Sequence, residues 1–149
     1  MNLNELLKRR LVEEVNPDQQ LINNEIEIAE GDVISAKNML EIEEFGWAHN
    51  AAFNAMLQAS RALMFAKGYR AMSQEHHVAV ISFMDVVYGA KLGRDLIQTF
   101  DRARKKRNES IYDTVGNISE SQCKNLVSKA EIFVSKTKEL IIKLGINLK

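Results

Sequence analysis

Between Asp101 and Asp113 the chain reads D-R-A-R-K-K-R-N-E-S-I-Y-D, and charge, amide, hydroxyl and phenol crowd together there as nowhere else. Arg102, Arg104, Lys105, Lys106 and Arg107 put five basic residues into six positions. Guanidinium groups hold phosphate through paired N–H donors and lysine adds compact charge, so the run suits a nucleic-acid backbone or a nucleotide phosphate. On an α-helix Arg104, Asn108 and Tyr112 fall at i, i+4 and i+8 and share one face. Arg107 projects from a different side, on a side chain long enough to reach its neighbours. The same run also fits a solvated helix end, where cations complement the negative end of the helix dipole.

Other chemistries find no residues to rest on. There is no phosphate-binding glycine loop, no C-x-x-C pair, no H-E-x-x-H and no nucleophile elbow. Neither a metal nor a cofactor is expected. Glu25, Glu27, Glu30, Glu41, Glu43 and Glu44 read as a solvated helix face, since no E-x-x-H accompanies them. His76 and His77 are adjacent and would point ~100° apart on a helix, a poor metal pair. Either would supply a base only if folding brings their helix to the arginines. His49 stands alone and reads as satisfied locally.

The elements that must position these groups are all helical. One proline, seven glycines and few β-branched runs favour an all-α chain. Residues 2–15 predict a short amphipathic helix along Leu3, Leu6, Leu7, Leu11 and Val15. Asn16 is then the expected N-cap and Pro17 the first residue of a helix reaching about Glu44. Gly46 is expected to break the chain before a central helix over Trp47–Lys67. That helix carries an alanine stripe (Ala48, Ala51, Ala52, Ala55, Ala59, Ala62, Ala66) and a bulky side (Phe53, Met56, Leu57, Leu63, Met64), so it must be packed on two sides. Its remaining sector holds Asn50, Asn54, Gln58 and Arg61, which either face solvent or line a cleft.

Gly68 is the expected C-terminal cap of that helix, Tyr69–Met72 a turn, and Ser73 the cap of the next helix with Glu75 in its first turn. Gly89 and Gly93 are expected to bracket a bend. The basic helix then spans about Leu92–Tyr112, with Leu92, Leu96, Ile97, Phe100 and Ala103 inward. It loses its apolar stripe where the arginines begin, so its end must face water or a partner. Residues 113–117 read as a turn. Ser119 and Gln122 form a capping-box pattern that opens a last helix to about Leu144.

At 149 residues the chain suits one domain over 1–149. Twenty basic residues balance twenty acidic ones, so no global field draws nucleic acid and DNA binding is not expected. Cys123 is the only cysteine, which forbids an intrachain disulfide and fits a reducing, cytoplasmic setting. The opening MNLNELLKRRLVEE lacks the apolar core of a signal peptide, and no run nears the ~18 apolar residues of a membrane span.

The segment W-A-H-N-A-A-F-N-A-M-L-Q-A-S-R-A-L-M-F-A-K-G-Y (Trp47–Tyr69), followed by S-Q-E-H-H-V-A-V-I-S-F (Ser73–Phe83), resembles the HEPN domain. R-N-E-S-I-Y-D (Arg107–Asp113) falls where that family places its signature motif, and the likeness covers about Asp18–Ile142. The resemblance implies an antiparallel up-and-down bundle of five or six helices, usually a homodimer, with two copies of the motif meeting in a shared cleft. Many members are RNA-cutting toxins paired with a nucleotidyltransferase antitoxin. Their motif is Arg, four to six residues, then His. It acts without metal: the ribose 2′-hydroxyl attacks, His moves the proton and Arg holds the phosphate.

Carried over, Arg107 matches the family Arg and Asn108 the polar residue that often follows it. The family His is absent, and Tyr112 occupies its place in an Arg-x4-Tyr variant. A phenol with a pKa of ~10 is a poor general base at neutral pH but a competent hydrogen-bond donor. In other members a motif tyrosine is nucleotidylated by the partner, in a register that needs a His where this chain has Ser110. The expected site is therefore Arg107, Tyr112 and Asn108, with Arg104, Arg102, Lys105 and Asn54 binding phosphate or RNA. Three alternatives stand: a metal-independent endoribonuclease of a toxin–antitoxin pair, a noncatalytic RNA- or nucleotide-binding dimer partnering a nucleotidyltransferase, and a structural dimer.

Overall fold

A computed structural model describes residues 1–72, 76–112 and 118–148, and the side chains of all of these except 110–112. Among them six helices form the bundle: α1 (Leu3–Lys8), α2 (Gln19–Glu41), α3 (Phe45–Lys67), α4 (His76–Leu92), α5 (Arg94–Tyr112) and α6 (Glu120–Lys143). Two short strands, β1 (Val12–Glu14) and β2 (Tyr69–Ala71), join them. The all-α architecture is as the composition implies.

Helix α3 is the centre. It packs most extensively on α2 and α6. Six of the seven alanines of its stripe are buried and Ala51 is half-buried, while Phe53, Met56, Leu57, Leu63 and Met64 are all buried. Small side chains let neighbouring backbones approach, and the bulky ones fill the space between helices. Phe53 meets Phe100 of α5 with ring centroids 5.7 Å apart, and Phe100 meets Phe133 of α6 edge-on at 5.2 Å. Three helices are thus pinned through a chain of aromatic contacts.

The amino-terminal segment departs from the expected single helix. Helix α1 stops at Lys8, Arg10 takes a positive φ of 56°, and Val12–Glu14 pairs antiparallel with Tyr69–Ala71. Val12 is buried, and Glu13 sits opposite Arg70 with an ion pair between them. Cross-strand pairing to a distant segment outweighs local helical periodicity here. The stretch after Gly68 is accordingly a strand rather than a plain turn.

Helix α2 begins two residues later than expected. Asp18, not Asn16, is its N-cap, its carboxylate accepting from the backbone N–H groups of Gln20 (2.9 Å) and Leu21 (3.3 Å). A carboxylate that accepts from two first-turn N–H groups fixes the start there, so Pro17 precedes the helix rather than opening it. The α2–α3 break falls at Glu43, which adopts φ 61°, so α3 already starts at Phe45 and Gly46 lies inside its first turn.

Gly68 does cap α3 in the left-handed region (φ 94°). Gly93 (φ 99°) alone makes the α4–α5 bend, because Gly89 lies within α4. Ser119 and Gln122 close a full capping box: the Ser119 hydroxyl accepts from Gln122 N–H, and the Gln122 side chain accepts from Ser119 N–H. The proposed Ser73 cap with Glu75, and the turn over 113–117, lie outside the described residues.

Candidate phosphate-binding site

The inner side of α5 is fixed by Leu96, Ile97, Phe100 and Ala103, all buried. One turn further on, the apolar residues give way to cations. Arg104 stays mostly covered, with its side chain 19 % exposed, and donates to Asp101 Oδ1 from Nε (3.1 Å) and Nη2 (3.0 Å). Lys105 reaches the other oxygen of Asp101 at 3.2 Å. Burial alone would raise the Asp101 carboxyl; the hydrogen bonds and charges of Lys105 and Arg104 outweigh it and hold the group below its ordinary value. Asp101 thereby locks the root of the basic run onto the helix.

Arg107 follows three residues further along the same helix. Its guanidinium carbon sits 5.7 Å from the centroid of the Phe53 ring on α3. His77, near the start of α4, meets the same ring edge-on at 5.3 Å. Phe53 is therefore a shared platform for a guanidinium from α5 and an imidazole from α4. Burial first, then the positive charges of Arg107, His76, Arg104 and Arg61, hold the His77 imidazole below its ordinary pKa. A partly buried imidazole kept neutral among three arginines is an acceptor in a strongly positive field.

Arg61 acts on two sides. Its charge bears on His77 and also on Glu25 of α2. Burial raises the Glu25 carboxyl, and Arg61 offsets that only in part. Beside this cluster a cleft of about 380 Å³ is lined by Arg61, Arg70, His76, Glu13, Met64 and Leu21. The size suits a phosphate with attached organic groups.

The predicted site residues therefore divide. Arg104 and Arg107 share the electrostatic surroundings of His77. Lys105 is exposed and paired with Asp101. Arg102 turns to another face and lines a groove with His49. Asn54 donates to Asp32 of α2 at 2.6 Å and accepts from Gln58 at 3.3 Å, so the polar stripe of α3 lies along α2. Asn108 is exposed. The Tyr112 side chain lies outside the described residues, although α5 extends to that position. Phe53 and Arg61 joined the site only on folding: in sequence they are one core ring and one member of a polar stripe. Among the described residues no group of three or more His, Cys, Asp or Glu comes together to hold a metal ion.

The helical architecture agrees with a family match. The model of the HEPN domain covers residues 23–140, most of the chain. The chain belongs to the HEPN domain family. Comparison with curated proteins yields no match. Membership ties this HEPN domain to nucleotide- or RNA-related function in general, and HEPN domains commonly dimerise. Among the described residues no helix of this HEPN domain is long and apolar enough to cross a membrane.

Proposed function

We propose that this HEPN domain binds the phosphate of RNA beside His77, Arg104 and Arg107, in a cleft completed by a second copy, and cleaves the strand without metal. The observation that carries the reading is the Phe53 ring shared by His77, edge-on at 5.3 Å, and the Arg107 guanidinium at 5.7 Å, which brings an imidazole beside the basic run. General acid–base catalysis wants a group that titrates near neutrality, and the Arg-x4-Tyr motif itself offers none.

In this reaction the ribose 2′-oxygen attacks phosphorus as His77 takes its proton. The bond from phosphorus to the 5′-oxygen breaks, and that oxygen leaves with a proton drawn from water. The products are a 2′,3′-cyclic phosphate and a 5′-hydroxyl. Arg107 and Arg104 hold the non-bridging oxygens and offset the charge that builds on them. Asn108 and Tyr112 contribute hydrogen bonds from the same helix. A nucleotidyltransferase encoded beside the gene would be the antitoxin partner.

RNA cleavage in EDTA tests the reading. Wild type should cut, while Arg107→Ala and His77→Gln should each lose most of the rate; Tyr112→Phe reports whether the phenol takes part. No cleavage across varied RNAs overturns catalysis. The second reading, a noncatalytic RNA- or nucleotide-binding module, is favoured by the tyrosine standing where the family has histidine. RNA binding that survives Arg104→Ala combined with Arg107→Ala sinks both.

A further inference from the structure

On the neighbouring face of α5 a separate groove of about 310 Å³ runs between α3, α5 and the start of α6. Its floor is His49, Thr99, Ala103 and Leu126, all buried. Its rim carries Arg102 and Lys106, one turn apart on α5, and Gln122 and Asn125 on α6. We propose that this groove is a second ligand site, distinct from the Arg107 cluster, for a small phosphate ester whose organic part lies on the mixed floor of His49, Thr99, Ala103 and Leu126.

Several observations converge on an anion there. His49 is 4 % exposed, and among the described residues its Nδ1 has no hydrogen-bond partner. A buried polar nitrogen without a partner costs free energy, and a ligand donor or acceptor would relieve that cost. Burial and then the charge of Lys106 push the His49 imidazole down to about 4, against a weaker opposing effect of the Asn50 amide, whose geometry falls short of a hydrogen bond. Burial is the larger cause, and the Lys106 charge beside it marks the groove as locally positive.

Its two cations are only loosely engaged. Arg102 reaches Gln98 at 3.4 Å and Lys106 reaches Glu109 at 3.7 Å, both long contacts at the surface. Gln122 spends its carbonyl oxygen on the α6 capping box, which leaves its NH₂ for a ligand. Anchoring through the cap also fixes that side chain in place. A guanidinium, an ammonium and two amides around a floor with a hydroxyl and an imidazole are the donors and acceptors of a phosphate joined to a polar ring or sugar. Length limits the occupant: 310 Å³ holds a single small ester rather than a strand.

The test is an NMR titration with adenosine monophosphate and, separately, inorganic phosphate, following the imidazole signals. The chain has three histidines, so each is assigned by substitution. The nucleotide should shift His49, raise its pKa from about 4, and bind more tightly than inorganic phosphate. Binding should persist in Arg107→Ala and fall about tenfold or more in Arg102→Ala combined with Lys106→Ala, two rim residues whose loss leaves the core intact. Unchanged affinity in the double variant overturns the site, as does a response confined to His77 and abolished by Arg107→Ala. Equal affinity for the nucleotide and inorganic phosphate overturns the role given to the floor.

Discussion

The guanidinium of Arg107 lies over the ring of Phe53, 5.7 Å from its centroid, which ties the basic helix to the centre of the bundle. Phe53 is 1 % exposed, so the contact joins a side chain of the basic run directly to the core. Phe53→Leu should destabilise the fold by about 1–2 kcal/mol through lost packing. A double-mutant cycle with Arg107→Ala, read by urea unfolding, should show a coupling of about 0.5–2 kcal/mol. Additive losses would mean that the stacking carries no energy.

His77 provides a pH test. Burial and then the Arg107 charge hold its imidazole down, so Arg107→Ala should raise the His77 pKa toward its ordinary value in an NMR titration. If His77 is the base of the proposed cleavage, the wild-type rate should rise with pH through that lowered pKa and then level off. A rate that falls as His77 loses its proton would assign it the opposite role.

The buried His49 sets a stability window. Its folded pKa of about 4 lies below the ordinary 6.5, so the unfolded chain binds more protons between these values. The stabilisation is fully present above pH 6.5 and is lost as pH falls toward 4. The loss amounts to about 3 kcal/mol. His77 acts in the same direction. Glu25 and Asp32 oppose them: burial raises both carboxyls, so their protonation favours the fold as pH falls through the raised values. Urea unfolding from pH 7 to pH ~4 should show a falling midpoint, and His49→Leu should flatten the slope.

Asn54 separates a structural role from a binding one. Its amide donates to Asp32, whose carboxyl is raised by burial and only partly offset by that bond. Asn54→Ala should cost about 1 kcal/mol of stability by stripping the carboxylate of its donor. RNA affinity should drop less than in Arg107→Ala. An equal drop would place Asn54 among the phosphate-binding groups after all.

The bend that sets α4 against α5 rests on one residue. Gly93 has φ 99°, and an added Cβ would meet no atom within 4 Å, so Gly93→Ala tests backbone conformation alone. A loss of about 1–2 kcal/mol is expected in thermal or urea unfolding. No loss would show that α5 relaxes at little cost.

What the sequence determined by itself is what depends on neighbours within a turn or so. The Ser119–Gln122 capping box and the Gly68 cap follow from hydrogen bonds and backbone preference a few residues apart. The alanine and bulky sides of α3 were legible for the same reason, since periodicity is local. Tertiary structure alone decided the rest. Val12–Glu14 became a strand because Tyr69–Ala71 lay beside it, and a helical pattern contains no record of that partner. The basic run looked like one patch, yet the helix sends Arg107 to Phe53 and Arg102 to His49, because residues five apart on an α-helix differ by ~140° in direction. His77 and Arg107 act on one another across thirty residues of chain only because a bend at Gly93 returns α5 alongside α4. Spacing along the chain cannot express that proximity; packing around Phe53 produces it.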